Sequence, residues 1–225
     1  MNNLNIIYED SDIILVHKPA GVATQTKRLG QQDMESLLKN YRAKKGEPPQ
    51  IWVVHRLDQP VEGVMVFAKN QKAAGDLSKQ VQQHIIGKYY YAVSAHEPKE
   101  KSTVLEDYLL TDKKINLTKV VAADVKDAKK AKLEYEVVET KEDKTLIRVK
   151  LHTGRQHQIR VQLAHMGCPL IGDGKYGEGQ SRDRLALCSY RLEFLHPATR
   201  KEMQFEIAPQ GVVFSDFLVE YRCNK

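Results

Sequence analysis

Two neighbouring segments constrain the fold of this chain most. KLEYEVVE (132–139) and TLIRVKL (145–151) alternate apolar and polar residues with a period of two, and the short polar TKEDK separates them. That alternation turns one face to a core and the other to water, as in a pair of half-buried antiparallel strands. Other short runs rich in Ile, Val and Tyr read as strands: LNIIY (4–8), IILVH (13–17), IWVVH (51–55), VMVFA (64–68) and KYYYAVSA (88–95). LALCSYRLEF (185–194) and EMQFEI (202–207) read as late strands. Helical stripes are fewer. They fall at 33–44 (Met34, Leu37, Leu38, Tyr41), 70–84 (Ala73, Ala74, Leu77, Val81) and 156–167, with a last one on Phe214, Phe217, Leu218 and Tyr221. Residues 96–130 are charged and weakly patterned and read as strands on long loops. No regular alternation of strand and helix runs through the chain. The expectation is an α+β fold with a mixed, largely antiparallel central sheet flanked by helices and loops, as one domain over 1–225.

Composition narrows the function classes. The 225 residues are 41% hydrophobic, enough for a core, and no apolar run approaches the roughly 20 residues of a membrane span. The opening MNNLNIIYED lacks the basic and apolar regions of a secretory signal. Three distant cysteines (Cys168, Cys188, Cys223) suit reduced thiols better than a disulfide framework. A cytoplasmic protein without membrane contact is expected. The net charge of +6, from 35 basic and 29 acidic residues, suits a polyanionic partner such as nucleic acid.

Five constellations could carry chemistry. In His55-Arg56-Leu57-Asp58, a loop between two strands holds a carboxylate two residues from a guanidinium, which favours its ionised form. Gly172-Asp173-Gly174-Lys175-Tyr176-Gly177 spells G-x-G-x-x-G, but too short a strand precedes it and polar turn residues follow, so no nucleotide cofactor is expected. His152, His157 and His165 lack the spacing of a metal site, and no metal is expected. Thr153-Gly154-Arg155-Gln156-His157-Gln158-Ile159-Arg160 packs cations, amides and an imidazole at a helix start, a place for phosphates or a carboxylate. In Lys88-Tyr89-Tyr90-Tyr91, alternation separates Tyr90 from its neighbours and leaves one strand face free to offer a ring to a nucleobase.

Taken in order, HRLDQPVEG, KYYYA, TGRQHQIRVQLAHMGCPLIGDGKYG and LALCSYRLEFLHPAT resemble the RluA-type pseudouridine synthases, from about VHKPAG (16–21) to APQ (208–210). The resemblance implies isomerisation of a specific uridine to pseudouridine in structured RNA, ribosomal or transfer, without cofactor or metal. It implies Asp58 as the nucleophile on a flipped-out uridine, Tyr90 stacked on the uracil, and Arg160 paired with Asp58. Arg56 would help displace the base, and Arg155, His157 and Gln158 would contact substrate. A monomer with no separate N-terminal RNA-binding domain is expected. A rival reading is a catalytically idle RNA-binding or assembly factor on the same fold. The chain departs from the family pattern at Val61-Glu62, where Thr-Ser is usual, at Gln156, at Gln162, and at Cys188-Ser189, where His-Ala is usual. An extra carboxylate at Glu62 would weaken RNA contacts unless a lysine neutralises it.

Overall fold

The computed structural model describes residues 4–26, 28, 30–177 and 184–217. In chain order the elements are β1 (Asn5–Glu9), β2 (Ile13–Lys18), α1 (Met34–Lys44), β3 (Trp52–Val53), β4 (Glu62–Ala68), α2 (Gln71–Gln82), β5 (Gly87–Ser94) and β6 (Ser102–Asp112). They continue with β7 (Leu117–Val121), β8 (Lys129–Lys141), β9 (Lys144–Leu151), α3 (Gln158–His165), β10 (Leu187–Leu195), β11 (Glu202–Glu206) and a 3-10 turn at Val212–Asp216. The chain divides into two compact units. Of the described residues, the first unit takes 4–87 and 189–208, and the second takes 88–188 and 209–217.

In the first unit the strand order is β1-β2-β4-β10, with β3 also on β4 and β11 on β10. Strands β2 and β4 are antiparallel and wholly buried, so they read as continuous apolar runs rather than alternating ones. Ile13, Leu15, Val64 and Val66 on these strands pack with Ala73, Ala74 and Leu77 of α2 and with Leu192 and Phe194 of β10. Both helices start where a side chain caps them: Asp33 Oδ1 accepts from Ser36 N at 2.8 Å, and Asn70 Oδ1 from Ala73 N at 2.9 Å. The strand expected at 51–55 is confined to Trp52–Val53.

The second unit is an antiparallel sheet in the order β5-β9-β8-β6-β7. The hairpin expected at 132–151 is β8 and β9. Helix α3 packs against this sheet through Val161, which meets Leu109 and Ala131. The stretch 96–130, expected as strands on long loops, does hold strands, but they are the eleven-residue β6 and the five-residue β7, joined by a short turn. Its outer face is built from ion pairs, with Glu106 at 2.7 Å from Lys130 and 3.0 Å from Lys132. Charges on that face hid the alternation that marks a strand. Of the expected terminal helix, the described residues hold the 3-10 turn around the buried Phe214, and Leu218 and Tyr221 lie outside them.

Candidate active site

In the first unit, Asp58 sits in the loop that leads from β3 into β4. Both of its neighbours are held through their backbones. Thr24, which is buried, donates from Oγ1 to Leu57 O at 3.0 Å and accepts from Leu57 N at 3.2 Å. On the other side, Gln59 O accepts from Gly21 N at 2.8 Å and from Lys18 Nζ at 3.1 Å. Asp58 O accepts from Val61 N at 3.0 Å and closes the turn. Gly21, at φ +89, takes a left-handed conformation that glycine adopts without strain. Arg56 is exposed and Asp58 half-buried.

Beneath the loop lies Lys18, which is fully buried. Its ammonium donates to three carbonyls, those of Pro19 (3.1 Å), Val22 (2.6 Å) and Gln59 (3.1 Å). Burial takes its pKa down to about 8, against the upward pull of Asp58 and Glu62. Glu62 is itself 6% exposed, and its carboxylate lies 3.6 Å from the buried His17 Nε2. The added carboxylate therefore points into the unit beside two basic groups rather than into solvent, and Lys18 is the lysine that offsets it. Gly63 follows at φ +149, with Ser189 backbone and side-chain atoms at 2.4–2.7 Å from where a Cβ would stand. Only a glycine fits there. A small residue at 189 keeps that approach open, and Ser189 meets that need.

In the second unit, Tyr90 is buried on β5, in register with Val149 of β9. Arg160 is buried in α3, and one carboxylate that holds it, Asp173, was not read from the sequence. Asp173 takes the guanidinium bidentately, accepting from Nε at 2.8 Å and from Nη2 at 2.7 Å. Burial raises the Asp173 carboxyl, but Arg160 and the amides of Lys175 and Tyr176 outweigh it and hold the pKa below the usual range. The Tyr176 ring lies 5.2 Å from the Arg160 guanidinium carbon, a cation–π contact. The Tyr176 hydroxyl accepts from Thr118 N at 2.9 Å and shares a 2.7 Å hydrogen bond with His157 Nδ1. His157 precedes α3 in a left-handed conformation at φ +54, uncommon for a side-chain-bearing residue, and this bond helps to hold it there.

Two further sequence candidates make contacts within the fold. Gln158 is buried, and its amide is shared among Thr153 Oγ1 (2.8 Å), Arg155 N (3.0 Å) and Lys132 O (3.1 Å), so it shapes the turn before α3. Arg155 is exposed, with Nε donating to Lys130 O at 2.9 Å. The G-x-G-x-x-G run is a packed turn. Gly172, at φ +74, lies so close to Arg184 O that a Cβ would stand 2.3 Å away. The signal missed there was Asp173 and Tyr176 inside a run read only for its glycines.

Among the described residues, His152, His157 and His165 form no group able to hold an ion, and only Asp10, Asp12 and His196 do. In that group His196 Nδ1 accepts from Ala198 N and Thr199 N at 3.2 and 3.1 Å. The imidazole proton is then on Nε2, which faces Asp10 Oδ2 at 2.8 Å, so the lone pair a metal needs is not presented. The group is a polar staple between two turns.

Comparison with known proteins agrees with these features. Residues 12–165 match the family model described as RNA pseudouridylate synthase. The chain is 32% identical over 214 residues to a Nitrosomonas europaea protein named ribosomal large subunit pseudouridine synthase D, covering 90% of this chain and 61% of that one. It is 34% identical over 204 residues to a Vibrio parahaemolyticus protein named dual-specificity RNA pseudouridine synthase RluA, covering 86% and 78%. It spans 65 to 69% of the length of three further relatives named as RNA pseudouridine synthases. In fold it is similar to human RNA pseudouridylate synthase domain containing 4, with a TM-score of 0.76 at 22% identity over 92% of this chain and 89% of that one. The match over most of the chain, with Asp58 and Arg160 both inside the region that the family model spans, places this protein in the RNA pseudouridylate synthase family, whose members are isomerases.

Proposed function

We propose that this chain converts a specific uridine in structured ribosomal or transfer RNA to pseudouridine, with Asp58 as the nucleophile on a flipped-out base. The observation that carries the reading is the loop itself. Leu57 and Gln59, on either side of Asp58, are both fixed by backbone hydrogen bonds, so the turn carries the carboxylate in a set position, as a nucleophile requires. The net positive charge of the chain suits an RNA partner.

The chemistry conserves atoms. The bond from uracil N1 to ribose C1′ breaks, the uracil turns, a bond from C5 to C1′ forms, and the C5 proton is lost while N1 gains one. Nothing is oxidised or consumed, so no cofactor or energy source is called for. An ionised Asp58 has two electrophiles in the same nucleotide, ribose C1′ and uracil C6. A paired base is out of reach, and extruding it costs a few kcal/mol. Stacking on Tyr90 offsets about 1–3 kcal/mol of that cost. Arg160 is assigned to charge balance at Asp58, Arg56 to displacement of the base, and Arg155 to the phosphates. In this reading the protein works as a monomer in the cytoplasm.

The test is release of tritium from uracil C5 in transcribed ribosomal and transfer RNA. The wild-type protein releases it. Asp58→Asn releases none and still binds the RNA in a filter assay. Substantial turnover by Asp58→Asn removes the nucleophile assignment. Binding without release by the wild-type protein leaves the idle RNA-binding factor instead.

A further inference from the structure

Every fully engaged buried lysine in this protein has its acceptors. Lys18 has three carbonyls, and Lys69 has Glu9 Oε1 and Asp10 O, both at 2.7 Å. Lys88 differs. It is half-buried on β5, and burial alone lowers its pKa, with no carboxylate pulling it back. Among the described residues its ammonium has no hydrogen bond and no ion pair. It rests against the loop before α3, where a Cβ on Gly154 would stand 3.4 Å from Nζ. The Gly154 N–H also has no acceptor among the described residues, and Arg155, next to it, is exposed.

A desolvated ammonium without an anion lowers stability. Its retention points to a ligand that supplies the missing charge. Strand alternation puts Lys88 and Tyr90, two residues apart, on the same face of β5. A Cβ at position 154 would stand in ordinary contact with the ammonium, so glycine leaves that side of Nζ uncovered. An anion next to a ring that can stack on a base is the pattern of a nucleotide phosphate. We propose that Lys88 Nζ, together with the Gly154 N–H, binds a phosphodiester of the RNA beside the nucleotide whose base stacks on Tyr90. The proposal deepens the reading given above and rests on its assignment of Tyr90.

The experiment uses the full chain, a fluorescent oligouridylate as probe, and Lys88→Met and Lys88→Arg. Lys88→Met is expected to weaken binding about tenfold at low salt, the effect of one charge-assisted contact. It should also lower the slope of log affinity against log salt by about one. Lys88→Arg retains most of the affinity. A neutral methylphosphonate walked along the probe weakens wild-type binding at one linkage and has no further effect in Lys88→Met. The melting temperature of Lys88→Met stays level or rises, because an unpaired buried cation has gone.

Three results would overturn the site: unchanged affinity and slope in Lys88→Met, a lowered melting temperature with unchanged affinity, or additive losses from the two neutralisations. Competition by free uridine monophosphate as strong as by the oligomer would overturn the assignment to an internal linkage. Failure here is separable from failure of the isomerase reading. Tritium release by wild type with normal binding by Lys88→Met sinks the phosphate site alone, and weakened binding by Lys88→Met without wild-type turnover sinks the isomerase alone.

Discussion

The two segments that carry the proposed chemistry are held by opposite means. The Asp58 loop is fixed through backbone atoms: Thr24 grips Leu57, and Gly21 and Lys18 grip Gln59. Arg160 is fixed through side chains, by the Asp173 carboxylate and the Tyr176 ring. A backbone clamp is indifferent to most side chains on the loop it holds. That explains how the chain departs from the family pattern at Val61-Glu62, directly after the turn, with the turn intact. A side-chain clamp has no such tolerance, since both partners must be of the right type and both are buried.

The largest expected effect separates chemistry from clamping. Asp58→Asn should cost about 10⁴-fold or more in turnover, yet leave the melting temperature within a degree or so, because the loop is held by its neighbours' backbones. A large loss of stability would mean that the carboxylate also holds the loop.

Next comes the ion pair. Asp173→Leu takes the bidentate Asp173 carboxylate from the buried Arg160 guanidinium and should destabilise the fold by about 3–5 kcal/mol, measured by urea unfolding. Arg160→Met with Asp173→Leu should recover much of that stability while turnover stays lost. If the double variant is as unstable as the single one, packing rather than charge pairing holds the helix.

Thr24→Val should remove both bonds to Leu57 at nearly constant volume. The cost is about 1–3 kcal/mol, with a fall in kcat and little change in RNA affinity. An unchanged kcat would show that Lys18 and Gly21 suffice to hold the loop.

The smallest effect is on pH dependence. Burial places the Lys18 pKa at about 8 in the fold, against 10.5 for an ordinary lysine. As pH rises through 8 the ammonium gives up its proton and its grip on the three carbonyls loosens, so kcat/KM should decline. The stability contribution has the other sign. Between about 8 and 10.5 the unfolded chain binds more protons than the folded one, so this group makes stability rise with pH. Lys18→Arg, which stays charged, should move the alkaline limb upward. A profile that is the same in both proteins removes Lys18 from the limb.

Much of this architecture was legible in the residues. The stripes at 33–44 and 70–84 became Met34–Lys44 and Gln71–Gln82, because spacing and a capping Asp or Asn act locally. In the 96–130 stretch strands were legible but the length of β6 was not, since β6 is held by its partner β8 and by Glu106–Lys130 pairing. Arg160 stood out as an arginine opening a helix, but its carboxylate thirteen residues on did not.

By itself, then, the sequence determined the two N-terminal helices, most of the strands, and the family to which the chain belongs. Those properties depend on near neighbours and on order along the chain. Only the tertiary structure decided which charge meets which: Asp173 at Arg160, His17 and Lys18 around Glu62, and the absence of any anion at Lys88 among the described residues. The strength of a charge pair depends on distance and on loss of water, and neither exists until distant segments have folded together.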